Sequence, residues 1–239
     1  MLRLPERLLL ISIDQRGRPR DPKSSLGYAL AGAALTELLL AGRLRHDHGQ
    51  VVVATASPIG GTLLDEVVAE VRAEQRPRTL KWWVNRLASR HRGRKPVRER
   101  LVDQLTERGV LARGERRVLG LVPVATHPVA DPATAQLARA AIGEVLLGRQ
   151  EPDEHAAALV ALVQVSGLLD ACVPDAERSR ARRRARQIAA GNEVGQAVKR
   201  IQEEVMAAVT AAVVASSGCR PRRRERQQLK FSATRKSLG

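Results

Sequence analysis

Residues 25–44 read SLGYALAGAALTELLLAGRL, the longest nearly uncharged run in a chain whose formal net charge is +16. From Leu26 to Ala41 the only polar side chains are Tyr28, Thr36 and Glu37. A helix that is apolar on nearly every side belongs in a core. Its roughly 24 Å of length falls short of a bilayer crossing. Asp21-Pro22 and Ser24/Ser25 offer start signals, and Gly42 stands where a helix stop wants a left-handed residue. The run predicts the central buried helix of an all-helical domain.

Composition supports that reading. Apolar residues make up 44% of the 239-residue chain, but its only aromatics are Trp82, Trp83, Tyr28 and Phe231. Ala, Leu and Val must therefore fill the core, and this favours helices over sheet. A pI near 11.3 points to an anionic partner, either an acidic lipid surface, an acidic protein or nucleic acid. Cys172 and Cys219 lack metal-type spacing and fit a reducing compartment. The brief apolar run Leu8–Ile13 ends at Asp14 and is not read as a signal peptide, so the expected location is cytoplasmic.

Along the chain, Leu4-Pro5-Glu6 followed by Arg7–Ile13 reads as a short helix with proline at a tolerated first-turn position. Leu44 and Val51–Ala54 suggest a small hairpin, and Thr62 opens a helix to about Ala73, with Asp65 at capping-box distance. Leu80–Ser89 and Val97–Glu107 read as amphipathic helices, the latter with Val97, Leu101 and Leu105 on one face. A second hairpin is expected to turn around Arg113–Arg116, with Arg117–Val124 pairing back. Helices follow at Pro132–Leu147, Pro152–Ala171, Ala176–Ala190 and Glu193–Ala215. Residues 1–217 are expected to form one helical domain. Residues 218–239, with eight Lys/Arg against one Glu in 219–239, are expected to be a disordered basic tail.

The residues that could carry chemistry have plainer readings. Glu37 in an apolar helix is expected to pair with a buried cation or a backbone donor, because burying a lone carboxylate is costly. His46-x-His48 would share a strand face but has no third ligand. Gly60-Gly61-Thr62 reads as a turn and cap without the Walker pattern, and His127 reads as a turn residue. No nucleophile–base pairing is recognisable, so no catalytic residue, metal or cofactor is expected. The arginine run Arg178–Arg186 cannot all share one helix face, so part of it is a solvated surface. A weak echo between residues 34–54 and 102–124, each a helix followed by a hairpin, supplies an alternative: a winged-helix-like nucleic-acid binder using Val97–Glu107.

LPERLLLISID, LTELLLAGRL, SPIGGTLLDE, VRERLVDQLTERGVL, THP and ARRRARQ occur in that order from Leu4 onward. In their order and spacing they resemble the Golgi phosphoprotein 3 family, whose eukaryotic members include a yeast vacuolar sorting protein, and the chain looks like a bacterial member. The resemblance implies an all-α fold with central helices wrapped by amphipathic ones and a protruding β-hairpin. It also implies a non-enzymatic peripheral membrane protein that binds phosphatidylinositol 4-phosphate in a basic pocket and engages cytosolic tails of membrane proteins.

Carried over by position, the family's two pocket arginines correspond to Lys95 and Arg98. Its arginine on the buried helix falls at Ala31, and its tryptophan near Pro22. Two headgroup contacts are thus replaced, which points to a more general anionic-lipid site built from Lys95, Arg98 and Arg100 with Arg18, Arg20 and Lys23 from the preceding loop. The hairpin cations Arg113, Arg116 and Arg117 are expected to rest on headgroups, since no apolar wedge accompanies them. Restoring arginine at Ala31 is expected to strengthen phosphoinositide binding.

Overall fold

The computed structural model describes residues 2–14, 18, 20, 25–55, 57–58, 60, 62–91, 93–118, 122–189 and 196–218. Lys23 and, of the expected tail, residues 219–239 lie outside the described residues, while Gly218 closes the last helix. Among the described residues the fold is mainly helical: α1 (Leu4–Ser12), α2 (Ser25–Leu40), α3 (Thr62–Ala73), α4 (Leu80–Ala88), α5 (Val97–Glu107), α6 (Pro132–Leu146), α7 (Glu154–Val165), α8 (Arg178–Ala189) and α9 (Gln196–Gly218). Two antiparallel hairpins interrupt them, β1 (Leu44–Asp47) with β2 (Gln50–Val53) and β3 (Gly114–Val118) with β4 (Val122–Thr126).

The centre is α2. Thirteen of its sixteen residues are buried, because α1, α3, α4, α5, α7 and α9 all pack against it. The apolar reading of residues 25–44 is borne out. At its C-terminus Gly42 adopts φ +63°, and the Gly42 and Arg43 N–H groups bond to the carbonyls of Leu39 and Leu38 at 3.1 and 2.9 Å. A left-handed residue lets two otherwise orphaned carbonyls be satisfied within the turn. Gly32 sets the closest approach of α9, since a β-carbon there would lie 2.5 Å from Val209 Cγ2.

Glu37, 2% exposed, is held as expected. Its Oε1 takes the Arg3 guanidinium at 3.2 Å and its Oε2 the Leu4 N–H at 2.9 Å. The α1 N-terminus is thereby fastened to α2. Glu6 of α1, equally buried, accepts the Arg3 N–H at 2.8 Å, Gln104 Nε2 at 3.3 Å and a short ion pair from Arg108. At the other end of α1, Arg139 of α6 donates to the carbonyls of Leu10 and Ile13. Burial, then the charge of Arg20, lowers the pKa of Arg139. Two carboxylates and one guanidinium thus satisfy both ends of a nine-residue helix, as buried charge requires.

Several boundaries differ from the sequence reading. α7 ends at Val165 rather than Ala171, because Ser166 and Gly167 close it and a short 3-10 turn, Leu169–Ala171, follows. The first hairpin turns tightly at His48-Gly49, both at positive φ. His46 and His48 therefore do not share a strand face; His46 Nδ1 instead makes a short ion pair with Glu204 of α9. In the second hairpin, Arg116 pairs with Val124 and Arg117 with Pro123, so Arg113–Arg117 do not form the tip. The connection runs through residues 119–121, outside the described residues. The winged-helix alternative finds no support, since α2 is enclosed and α5 buries Val97, Leu101 and Leu105 against its neighbours.

Candidate functional site

A cavity of about 480 Å³ opens where the start of α2, the end of α4, the first half of α5 and the base of the second hairpin meet. Leu26, Gly27, Ala88 and Val102 supply its apolar surface, and Lys95, Arg98, Glu99, Asp103 and His127 its polar surface. The local sequence explains the meeting. Pro96 begins α5 from an extended conformation, as its fixed φ and missing N–H allow. Lys95 is therefore left just outside the helix, with Arg98 and Glu99 on its first turn. Burial of Val97, Leu101 and Leu105 turns the opposite face of α5 outward. Gly27 keeps the α2 wall low, because a β-carbon there would meet nothing closer than Ala88 O at 3.9 Å.

The charges lining the cavity are balanced, two cations against two carboxylates. Lys95 Nζ sits 2.6 Å from Asp103 Oδ2, both side chains about half exposed. That hydrogen bond, then the charge of Asp103, raises the Lys95 pKa above its ordinary value. Glu99 takes Arg90 Nη2, which lies outside the lining, at 2.5 Å. Among the described residues Arg98 has no ion pair or hydrogen bond from its exposed side chain. The α5 N-terminus beside it has no side-chain cap from Pro96, and the positive end of a helix dipole favours an anion. The cavity wall also includes His127, whose Nδ1 is enclosed and has no partner among the described residues.

The expected site residues separate on this geometry. Lys95 and Arg98 are brought together. Arg100 is not: its side chain is 12% exposed and its guanidinium spans Glu66 and Glu70 at 2.8 and 2.7 Å, a contact that ties α5 to α3. Arg18 and Arg20 are exposed but do not line the cavity, and Arg20 Nε turns back to Ile13 O at 3.3 Å. Arg113 is exposed just before β3, while Arg116 and Arg117 lie on the strand. Ala31 is fully enclosed and not part of the lining, so an arginine there would displace core packing. Sequence reasoning missed Glu99 and Asp103. Their signal was legible: acids at i and i+4 on the outward face of the helix that carries Arg98.

The family model for Golgi phosphoprotein 3 (GPP34) matches residues 4–205. Over 167 residues the chain is 31% identical to the vacuolar protein sorting-associated protein 74 of Eremothecium gossypii, covering 62% of this chain and 50% of that relative. The chain thus spans about half the length of the curated relative it matches. Among the described residues no helix is long and apolar enough to cross a membrane. A match running from the first helix into the last makes this chain a member of the Golgi phosphoprotein 3 family.

Proposed function

We propose that this chain is a non-enzymatic, peripheral membrane protein of the cytoplasmic side, which docks on anionic phospholipid surfaces and serves there as an adaptor. The observation that carries the reading is the cavity at the start of α5, where an exposed Arg98, without an ion pair among the described residues, stands beside an uncapped helix N-terminus. That pairing of a forked cation with open N–H groups is suited to a phosphate oxygen. Family membership and the +16 formal charge support it, since an anionic leaflet attracts basic surface at on the order of 1 kcal/mol per residue. His127, the residue after β4, lines the cavity beside the base of the β3–β4 hairpin. Arg113, Arg116 and Arg117 then contact neighbouring headgroups when the cavity holds one. Arg18 and Arg20 add exposed cations before α2, and Lys23 is a further basic residue of the same stretch of sequence. Arg100 acts indirectly, by holding α5 in place.

Vesicle co-flotation tests this. At about 0.1 M salt, where surface charges are screened beyond roughly 10 Å, the chain should float with phosphatidylcholine/phosphatidylglycerol vesicles and not with phosphatidylcholine alone. Arg98→Ala should lower recovery about fivefold, the value of roughly 1 kcal/mol. Arg180→Ala, which removes an equal charge from an exposed position on α8, should cost less. Equal recovery on neutral and anionic vesicles, or equal loss from the two variants, would contradict docking through the cavity.

A further inference from the structure

The cavity at the start of α5, taken with the pairs at its edge, carries a single surplus positive charge. Lys95 and Arg98 share its lining with Glu99 and Asp103. Asp103 lies 2.6 Å from Lys95, and Glu99 takes Arg90 from outside the lining at 2.5 Å. Three cations against two carboxylates leave one positive charge. It resides on Arg98, which has no ion pair among the described residues. The cations flanking this group in sequence are committed elsewhere, since Arg94 and Arg100 both go to Glu70, at 2.8 and 2.7 Å.

A phosphodiester has one negative charge, and at Arg98 it leaves every charge in the group with a partner. A phosphomonoester carries roughly 1.5 to 2 negative charges near neutral pH, and a phosphoinositide headgroup brings those besides its phosphodiester. Lys95 can turn to a second phosphate only by uncovering Asp103. Half-exposed pairs exchange readily, but no exchange among them changes their sum. The excess negative charge therefore lies beside Glu99 and Asp103, which are one helical turn apart on the outward face of α5. Like charges at this range oppose binding. In a half-exposed, salt-screened site the opposition is modest rather than prohibitive.

We infer, on the reading that the cavity receives a lipid headgroup, that it selects a monoanionic phosphodiester, the headgroup chemistry of phosphatidylglycerol, over a phosphomonoester. Arg98 takes the phosphodiester. Glu99 and Asp103 set the selectivity by holding the surplus to one charge. The +16 formal charge draws the chain to any anionic surface, and the cavity then chooses among the anions there.

The test uses the full chain on phosphatidylcholine vesicles that carry either phosphatidylglycerol or phosphatidylinositol 4-phosphate at matched total charge, so that both attract the chain as a whole equally. Binding to the phosphatidylglycerol vesicles should be roughly twofold to fivefold tighter, the range of an exposed charge pair. Asp103→Asn keeps the side chain's shape and removes its charge, and should erase or reverse that preference. Glu151→Gln removes an equal charge from a side chain that is 81% exposed and outside the cavity, and should leave the preference unchanged. Soluble glycerophosphoglycerol, titrated against the isotope-labelled chain by NMR, should shift residues 95–103 at lower concentration than glycerophosphoinositol 4-phosphate does. Equal affinity for the two vesicles, a preference that survives Asp103→Asn, an equal change from Glu151→Gln, or the reverse order in the NMR titration overturns the inference and leaves membrane docking standing. Shifts from the soluble phosphodiester without binding to any vesicle support the charge selectivity and identify a soluble ligand in place of a lipid. Neither shifts nor vesicle binding overturns both.

Discussion

The start and the middle of α2 differ in what one added methyl group would meet. At Gly32 it would lie 2.5 Å from Val209 Cγ2, inside the contact with α9; at Gly27 its nearest neighbour would be Ala88 O at 3.9 Å, on the rim of the cavity. One helix is therefore sealed through its middle and open at its start. The same division runs through the ion pairs. Glu37, at 2% exposure, takes Arg3 and the Leu4 N–H; Asp103, at 48%, takes Lys95. The partners are chemically alike, but burial decides what each pair does. An enclosed carboxylate that loses its partners is stranded in a poor solvent, so its pairs fix the fold. A half-exposed one exchanges its partner for water or a ligand at little cost, so its pair sets the charge of a site.

The largest effect should come from forcing a charge into the sealed region. Ala31→Arg is expected to destabilise the chain by at least about 3–5 kcal/mol in urea unfolding, through overpacking and a buried cation. A folded variant that bound phosphoinositide more tightly would show that this face of α2 reaches the cavity, and would break the comparison. Glu37→Ala should cost about 2–3 kcal/mol, because the Leu4 N–H is left buried without an acceptor.

The interior also insulates Cys172, whose Sγ lies 3.6 Å from Leu168 O and whose pKa burial pushes from 9.0 to about 12. The folded chain holds that proton more tightly than the unfolded one. The stabilisation is therefore complete below pH 9 and lost as pH rises from there toward 12. Iodoacetamide at pH 8 should modify Cys172 at least tenfold more slowly in the folded chain than in urea, where its thiolate is both exposed and more populated. Mass spectrometry of the tryptic peptides reads this directly. At the open end, Gly27→Ala should be neutral or stabilising by up to about 1 kcal/mol, since alanine is the better helix former and the space is free. Asp103→Ala should change stability by less than about 1 kcal/mol. A loss of several kcal/mol from Asp103→Ala would place the rim pair with the structural ones.

The central helix was legible because its cue is strong and local: sixteen residues without a charge other than Glu37, closed by Gly42. α5 was equally legible from Val97, Leu101 and Leu105, and its bounds agree with the sequence reading. The second hairpin was misregistered because turn signals at Arg113-Gly114 compete with strand-forming residues on both sides, whereas the pairing runs from Gly114 with Thr126 to Val118 with Val122. Lys95 and Arg98 were found through the resemblance. The i, i+4 spacing places Glu99 and Asp103 on one face, but the pairing of Asp103 with Lys95, eight residues back across the α5 start, is visible only in the structure. Arg100 misled for the converse reason: its partners Glu66 and Glu70 are thirty or more residues away, on α3.

Hydrogen–deuterium exchange of the full chain, free and bound to phosphatidylcholine/phosphatidylglycerol vesicles, tests most directly whether the open end of α2 and the start of α5 form the binding site. The expected result is slowed exchange in residues 95–103 and at Leu26–Gly27, with α8 unchanged. Protection confined to α8 or to residues 219–239, with 95–103 exchanging as in the free chain, would contradict it.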